Sequence, residues 1–200
     1  LCRGEAETAR HTLGLTAGQA GEVARNARLE QAPAAAAAKV YTGVLYAALD
    51  YATLPPAAQR YARASVVVFS ALWGMVGLGD RIPAYRCPPG VRLPGLDAAL
   101  GSWWRRRLTA MHSRQFAVDL RSGPYQGMWR PAHAATVRVL HDGKVVSHFN
   151  KATKGRLVRD LALAGVAVDG TAALAAALRE LGYDVRADGD RLDITVDTLA

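Results

Sequence analysis

Cysteine is scarce. There are two in 200 residues, Cys2 and Cys87, far apart and in no metal-ligand spacing. That excludes a disulfide framework, and a reducing cytoplasm is the expected compartment. No apolar run approaches the roughly 20 residues that span a bilayer, so no membrane association is expected. The chain lacks a phosphate loop ending in Gly-Lys-Ser/Thr and a Gly-x-Gly-x-x-Gly fingerprint, and the glycines between Gly74 and Gly79 have neither spacing. Ser70 and Ser122 lie in no nucleophile-elbow context. The histidines His11, His112, His133, His141 and His148 are scattered, and His148 has no second histidine at ligand spacing and reads as packed. No metal site, haem motif or other cofactor is therefore expected. The chain opens at Leu1 in a helical pattern with no initiator methionine, so a fragment without its N-terminus is expected.

Acids are scarce in one block. Residues 101–160 hold 12 Lys/Arg against Asp119, Asp142 and Asp160, whereas the other 140 residues are nearly balanced. The whole net charge of +8 thus lies in one contiguous stretch, which implies one electropositive face or cleft and an anionic partner. Arg86 beside Cys87 could lower that thiol's pKa; a plain loop cysteine is the simpler reading.

The basic block centres on residues 145–159. Val145 to Phe149 reads as a strand that stops at Asn150, a good N-cap. Leu157, Val158 and Leu161 then recur at helical spacing, so a helix is expected from about Lys151. Lys151, Lys154 and Arg156 would lie in its first two turns, where the backbone is already partly positive. That is unfavourable unless an anion sits opposite. The alternative is a solvated surface helix.

Elsewhere, residues 4–30 read as a helical hairpin broken at Gly14, with Thr16 capping a second helix from Ala17 to about Glu30. Such a hairpin can present amides to a phosphate; it can equally be plain core packing. The alanine-rich 32–38 reads as a helical start or a linker. Tyr41, Leu45 and Leu49 share a helical face, with Gly43 allowing another backbone close. A short helix spans 57–64. The continuous apolar run 65–70 reads as a strand buried on both faces, followed by a glycine-bearing loop. A helix is expected over 96–112, with Trp103, Trp104 and a solvated Arg105-Arg106-Arg107, and at least one of the tryptophans in the core. A strand is expected over 115–120. Asp142-Gly143 and Asp188-Gly189-Asp190 mark two hairpins, with a helix over 171–181 and Gly182 as its C′ residue. The fold class is α+β (mixed α/β), one domain over 1–200 with a central mixed sheet and hairpins surrounded by helices.

Several segments together resemble the YaaA family of peroxide-stress proteins. They are Val40-Tyr41-Thr42-Gly43, Ser70-Ala71-Leu72-Trp73-Gly74, Ala84-Tyr85-Arg86, Trp103-Trp104, Asp119 to Tyr125, and Ser147 to Gly155. They stand in the family's order over nearly the whole chain, and the Ala- and Arg-rich composition fits its high-GC bacterial branch. The resemblance implies a cytoplasmic protein that limits free iron and oxidative damage under peroxide stress. It also implies a mixed α/β fold with a positively charged cleft to which DNA binding is attributed. Family members open with a hydrophobic strand and a polar Ser/Lys/Thr turn that this sequence lacks.

The candidate DNA- or anion-binding residues are Tyr41, Arg86, Arg121, Ser122, Tyr125, Lys151, Lys154 and Arg156. Arginine forks suit phosphate oxygens and lysines supply point charges. Tyr85, Trp103, Trp104 and Tyr125 interleave them as possible stacking surfaces. Asp119 reads as a structural ion-pair partner before it reads as a catalytic acid, and no catalytic residue is assigned. The favoured function is backbone-directed DNA binding by a monomer. The alternative is an enzyme that takes a small anionic metabolite or nucleotide in the same cleft.

Overall fold

Ala135, Val137 and Val139 alternate with less buried neighbours and are themselves buried. That is the period of a strand with one face in a core. The structure, a computed structural model, describes residues 1–109, 115–145 and 147–196, leaving aside the side chains of 145 and 147–149. In chain order it opens with α1 (Ala6–Thr12), α2 (Gly21–Ala27), β1 (Ala34–Ala36), α3 (Ala37–Val40), α4 (Val44–Leu49) and α5 (Pro56–Ser65). Next come β2 (Val67–Ser70), β3 (Gly74–Gly77), β4 (Arg81–Pro83), α6 (Leu100–Leu108), β5 (Ala117–Asp119) and α7 (Gly123–Gln126). The last are β6 (Ala134–His141), β7 (Lys144–Val145), α8 (Ser147–Ala164), α9 (Thr171–Glu180), β8 (Asp184–Asp188) and β9 (Arg191–Thr195). The mixed α/β class is as expected. The chain forms two compact units: Leu1–Val40, Val67–Met111 and Arg121–Arg130 make one, and Tyr41–Val66, His112–Leu120 and Pro131–Ala200 the other.

The second unit holds a mixed sheet in the order β5-β6-β9-β8, with β7 also on β6. β6 runs parallel to β5 and β9, while β8 and β7 are antiparallel to their neighbours. Leu157 and Leu161 of α8 and Leu174, Ala175 and Leu178 of α9 pack on Ala135, Val137, Val185, Leu192 and Ile194. Arg138 and Asp193 face each other across β6 and β9 and make two hydrogen bonds, of 2.8 and 2.6 Å. That partner holds the Asp193 carboxyl below the usual carboxylate range.

Both expected hairpins are present. Asp142 (φ 48°) and Gly143 (φ 72°) are both left-handed, as an Asp-Gly hairpin turn requires. The strand after Asp142-Gly143 is shorter than expected, however. α8 starts at Ser147, so Asn150 lies inside the helix instead of capping it. A stretch as short as 145–149 cannot distinguish strand period from helix period, and here β7 leaves β6 after two residues. The expected packing of His148 falls on side chains outside the described set.

The first unit packs Ala9, Leu13, Leu15 and Val23 against Ala71, Cys87, Val91 and Leu100. Gly14 (φ 63°) turns α1 away, and a 3-10 turn at Ala17–Gln19 is held where the Thr16 amide donates to Gln19 Oε1 at 3.1 Å. The expected unbroken helix from Ala17 is therefore split, and α2 stops at Ala27. Ala34–Ala36 is strand, not helix or linker, because it pairs antiparallel with β4; tertiary pairing overrides alanine's weak strand preference. The run 65–70 also departs from expectation. β2 forms a two-stranded antiparallel sheet with β3, and Val67 is 48% exposed. A two-stranded ribbon does not bury both faces. Within the glycine-bearing stretch after it, Gly74–Gly77 is strand β3 between turns, and the helix expected over 96–112 is α6, its last expected residues lying outside the described set.

Candidate functional site

Arg86, Arg121, Ser122 and Tyr125 belong to the first unit; Tyr41, Lys151, Lys154 and Arg156 belong to the second. In the first unit Arg121 braces its own loop. Its guanidinium donates to the Tyr125 and Trp129 carbonyls (3.3 and 2.8 Å) and lies 4.2 Å from the centroid of Phe69, which stacks on Trp129. Ser122 precedes α7, and its carbonyl accepts from the Tyr125 and Gln126 amides. Tyr125, in that one-turn helix, is half-buried. Arg86 is exposed, but its backbone is fixed: its amide donates to Asn26 Oδ1 (3.0 Å) and its carbonyl accepts from Asn26 Nδ2 (2.8 Å). Beside it, burial and then the neighbouring Cys2 push the Cys87 thiol up to about 11. The lowered thiol pKa that Arg86 could have produced is thus reversed, since desolvation disfavours the thiolate.

In the second unit α8 sorts its cations by depth. Lys151 is exposed and Arg156 half-buried, its guanidinium 3.5 Å from Thr153 Oγ1. Lys154 is only 8% exposed, and its ammonium donates to the Leu120 carbonyl at 3.3 Å. Tyr41 stacks on Tyr46 with centroids 5.4 Å apart. One turn before Lys154 on the same helix, the Asn150 side-chain oxygen is buried with no hydrogen-bond partner among the described residues. Sequence reasoning cast Asn150 only as a cap, so this feature was missed.

Burial draws the Lys154 pKa down, while the Asp119 charge works against that shift. An amine whose folded pKa lies below its unfolded value binds fewer protons in the folded state. Unfolding free energy then rises with pH from the folded pKa toward the ordinary lysine range of about 10.4. Lys154→Met keeps the volume and removes the titration. It is expected to unfold no earlier than wild type at pH 7 and to lose the rise in stability at alkaline pH. Urea titrations from pH 7 to 10 check this, and earlier unfolding of the Met variant at every pH would show the buried ammonium to be a net stabiliser.

Trp104 donates its indole N–H to the Ala71 carbonyl (2.7 Å) and packs against the first unit's core. Arg105, Arg106 and Arg107 are exposed, with Arg106 on Asp97 and Arg107 over Trp103. Among the described residues, no group of three or more His, Cys, Asp or Glu could hold a metal ion. Nor is any helix there long and apolar enough to cross a membrane.

The family model for peroxide stress protein YaaA matches residues 2–188. The chain belongs to this family. It is 52% identical to a UPF0246 protein of Streptomyces coelicolor over 94% of this chain and 76% of that protein. A UPF0246 protein of Corynebacterium glutamicum is 41% identical over 80% of this chain and 67% of its own length. A Campylobacter jejuni protein is 31% identical over 65% of this chain and 54% of its own. The high-GC branch expected for this YaaA-family chain is thus where its 52% match lies.

Proposed function

We propose that the chain is a cytoplasmic peroxide-stress protein that binds DNA through its exposed cations and so limits iron-driven oxidative damage. The observation that carries this reading is the basic block of residues 101–160. Lys151 and Arg105 stand exposed within it, and among the described residues no acid pairs with either. Contacts of this kind hold phosphates without reading sequence. Each phosphate neutralised releases counterions, so affinity falls steeply with salt.

Lys151→Ala tests the reading, because Lys151 is exposed and its loss leaves the core intact. Binding of labelled duplex, bubble and single-stranded DNA is followed by fluorescence anisotropy across a salt series. The variant is expected to bind every form more weakly and to lower the log–log salt slope by about 1. An unchanged slope would remove Lys151 from the interface. Lys154 is the wrong residue for this test, since its burial makes any change there a change in packing.

The depth of Lys154 favours a second reading. A buried amine, with the Asp119 charge acting on it and the unsatisfied Asn150 oxygen one turn away, suits a small anionic metabolite or nucleotide better than a polymer. If no DNA form binds, small anions tested by thermal shift against wild type and Lys154→Met are the next comparison.

A further inference from the structure

Trp73 is a large aromatic residue that the fold leaves 38% exposed. Its turn is tied down from three sides. Ser70 Oγ accepts from the Leu72 amide (3.1 Å) and the Trp73 amide (2.8 Å), and shares a 2.5 Å hydrogen bond with the Tyr85 hydroxyl. The Ala71 carbonyl accepts from the Trp104 indole. The Tyr85 ring meets Trp73 at 85° with centroids 6.2 Å apart, so the two form a fixed corner. Arg86 follows Tyr85 directly, exposed, with both of its main-chain groups clamped by Asn26.

The hydrophobic effect alone would bury this indole. An exposed indole cornered by Tyr85, with an exposed arginine on a fixed backbone as the residue after that tyrosine, is an arrangement that can take a flat ring on one and a phosphate on the other. We propose that Trp73 is a stacking platform for an unpaired nucleobase of single-stranded DNA, with Arg86 engaging the adjoining phosphate. This rests on the DNA-binding reading and narrows it. In a duplex both faces of each base are already stacked, so a fixed indole at the surface gains little from it, whereas an unpaired base offers a free face.

The test is anisotropy of labelled oligo(dT) and of a duplex of equal length, with wild type, Trp73→Ala and Trp73→Phe. Trp73→Ala is expected to weaken oligo(dT) binding about tenfold, the effect of losing one stacked base, and to leave duplex affinity essentially unchanged. Trp73→Phe keeps a ring and is expected to retain most of the oligo(dT) affinity, which separates stacking from any packing defect. If wild type binds both DNAs and Trp73→Ala weakens neither, or both alike, or if the Phe variant falls as far as the Ala variant, the stacking site is overturned while DNA binding stands. If wild type binds neither DNA, both fail together.

Discussion

Gly155→Ala is expected to lower the melting temperature by roughly 6–12 °C, from a loss of about 3 kcal/mol in a chain of this size. On helix propensity alone the change should help by up to about 1 kcal/mol, because alanine is the better helix former. Packing decides the sign. Gly155 is buried in α8 where that helix meets α4. A methyl group there would overlap the Leu45 carbonyl oxygen and stand 2.8 Å from Ala48 Cβ. The obstruction is helical backbone, which cannot swing aside as a long side chain can. Relief requires α4 and α8 to separate. One turn further along α8, the Arg159 guanidinium donates to the Leu49 and Asp50 carbonyls (3.0 and 2.9 Å) at the end of α4. A cation there satisfies carbonyls left open by the helix end, and separation would strain those bonds too. Lys154, the residue before Gly155, would lose its seat against Leu120 as well. Thermal unfolding by circular dichroism reads the result. A melting temperature within about 2 °C of wild type would mean the two helices are not in this contact.

The same region shows why part of the fold was legible and part was not. The sequence signalled a glycine-mediated backbone approach near 40–49 and placed it at Gly43, the glycine inside the periodic stretch. Gly43 is instead the N-cap of α4, with φ 108° and open space where a Cβ would stand. The close approach falls on the opposing helix, more than a hundred residues along the chain. Local periodicity identifies which segments are helices, but which face of a distant helix they meet is a tertiary outcome. Turns were read better: Asp142-Gly143 and Gly182 adopt positive φ, a requirement fixed by the residues themselves. Among the candidate site residues, Lys151 and Lys154 looked alike, two lysines three positions apart on one helix. Their depths differ because α8 is packed on that side and open on the other, and only the fold shows it. Trp73 gave no signal of exposure, since nothing in its neighbours distinguishes a core tryptophan from a surface one.

Gly74→Ala is expected to destabilise by about 3 kcal/mol, and about half of that loss is expected to vanish when Trp104 is made smaller. Two effects act at Gly74. Its φ of 80° is a conformation that costs an L residue about 1–2 kcal/mol. A Cβ would also stand 2.7 and 2.8 Å from ring atoms of Trp104. A flexible side chain would move out of the way, but this ring is held by its hydrogen bond to the Ala71 carbonyl and by Trp103, edge-on with centroids 4.9 Å apart. The strain therefore passes into the turn that carries Trp73. A double-mutant cycle separates the two effects. In a Trp104→Leu background the overlap is gone while the backbone cost remains, so Gly74→Ala should then cost only about 1–2 kcal/mol. Urea unfolding of the four proteins measures the coupling. If the two changes prove additive, the contact between Gly74 and the indole is not what holds the turn. If they are coupled as expected, Gly74→Ala should also weaken oligo(dT) binding without touching Trp73, because the platform depends on the turn beneath it.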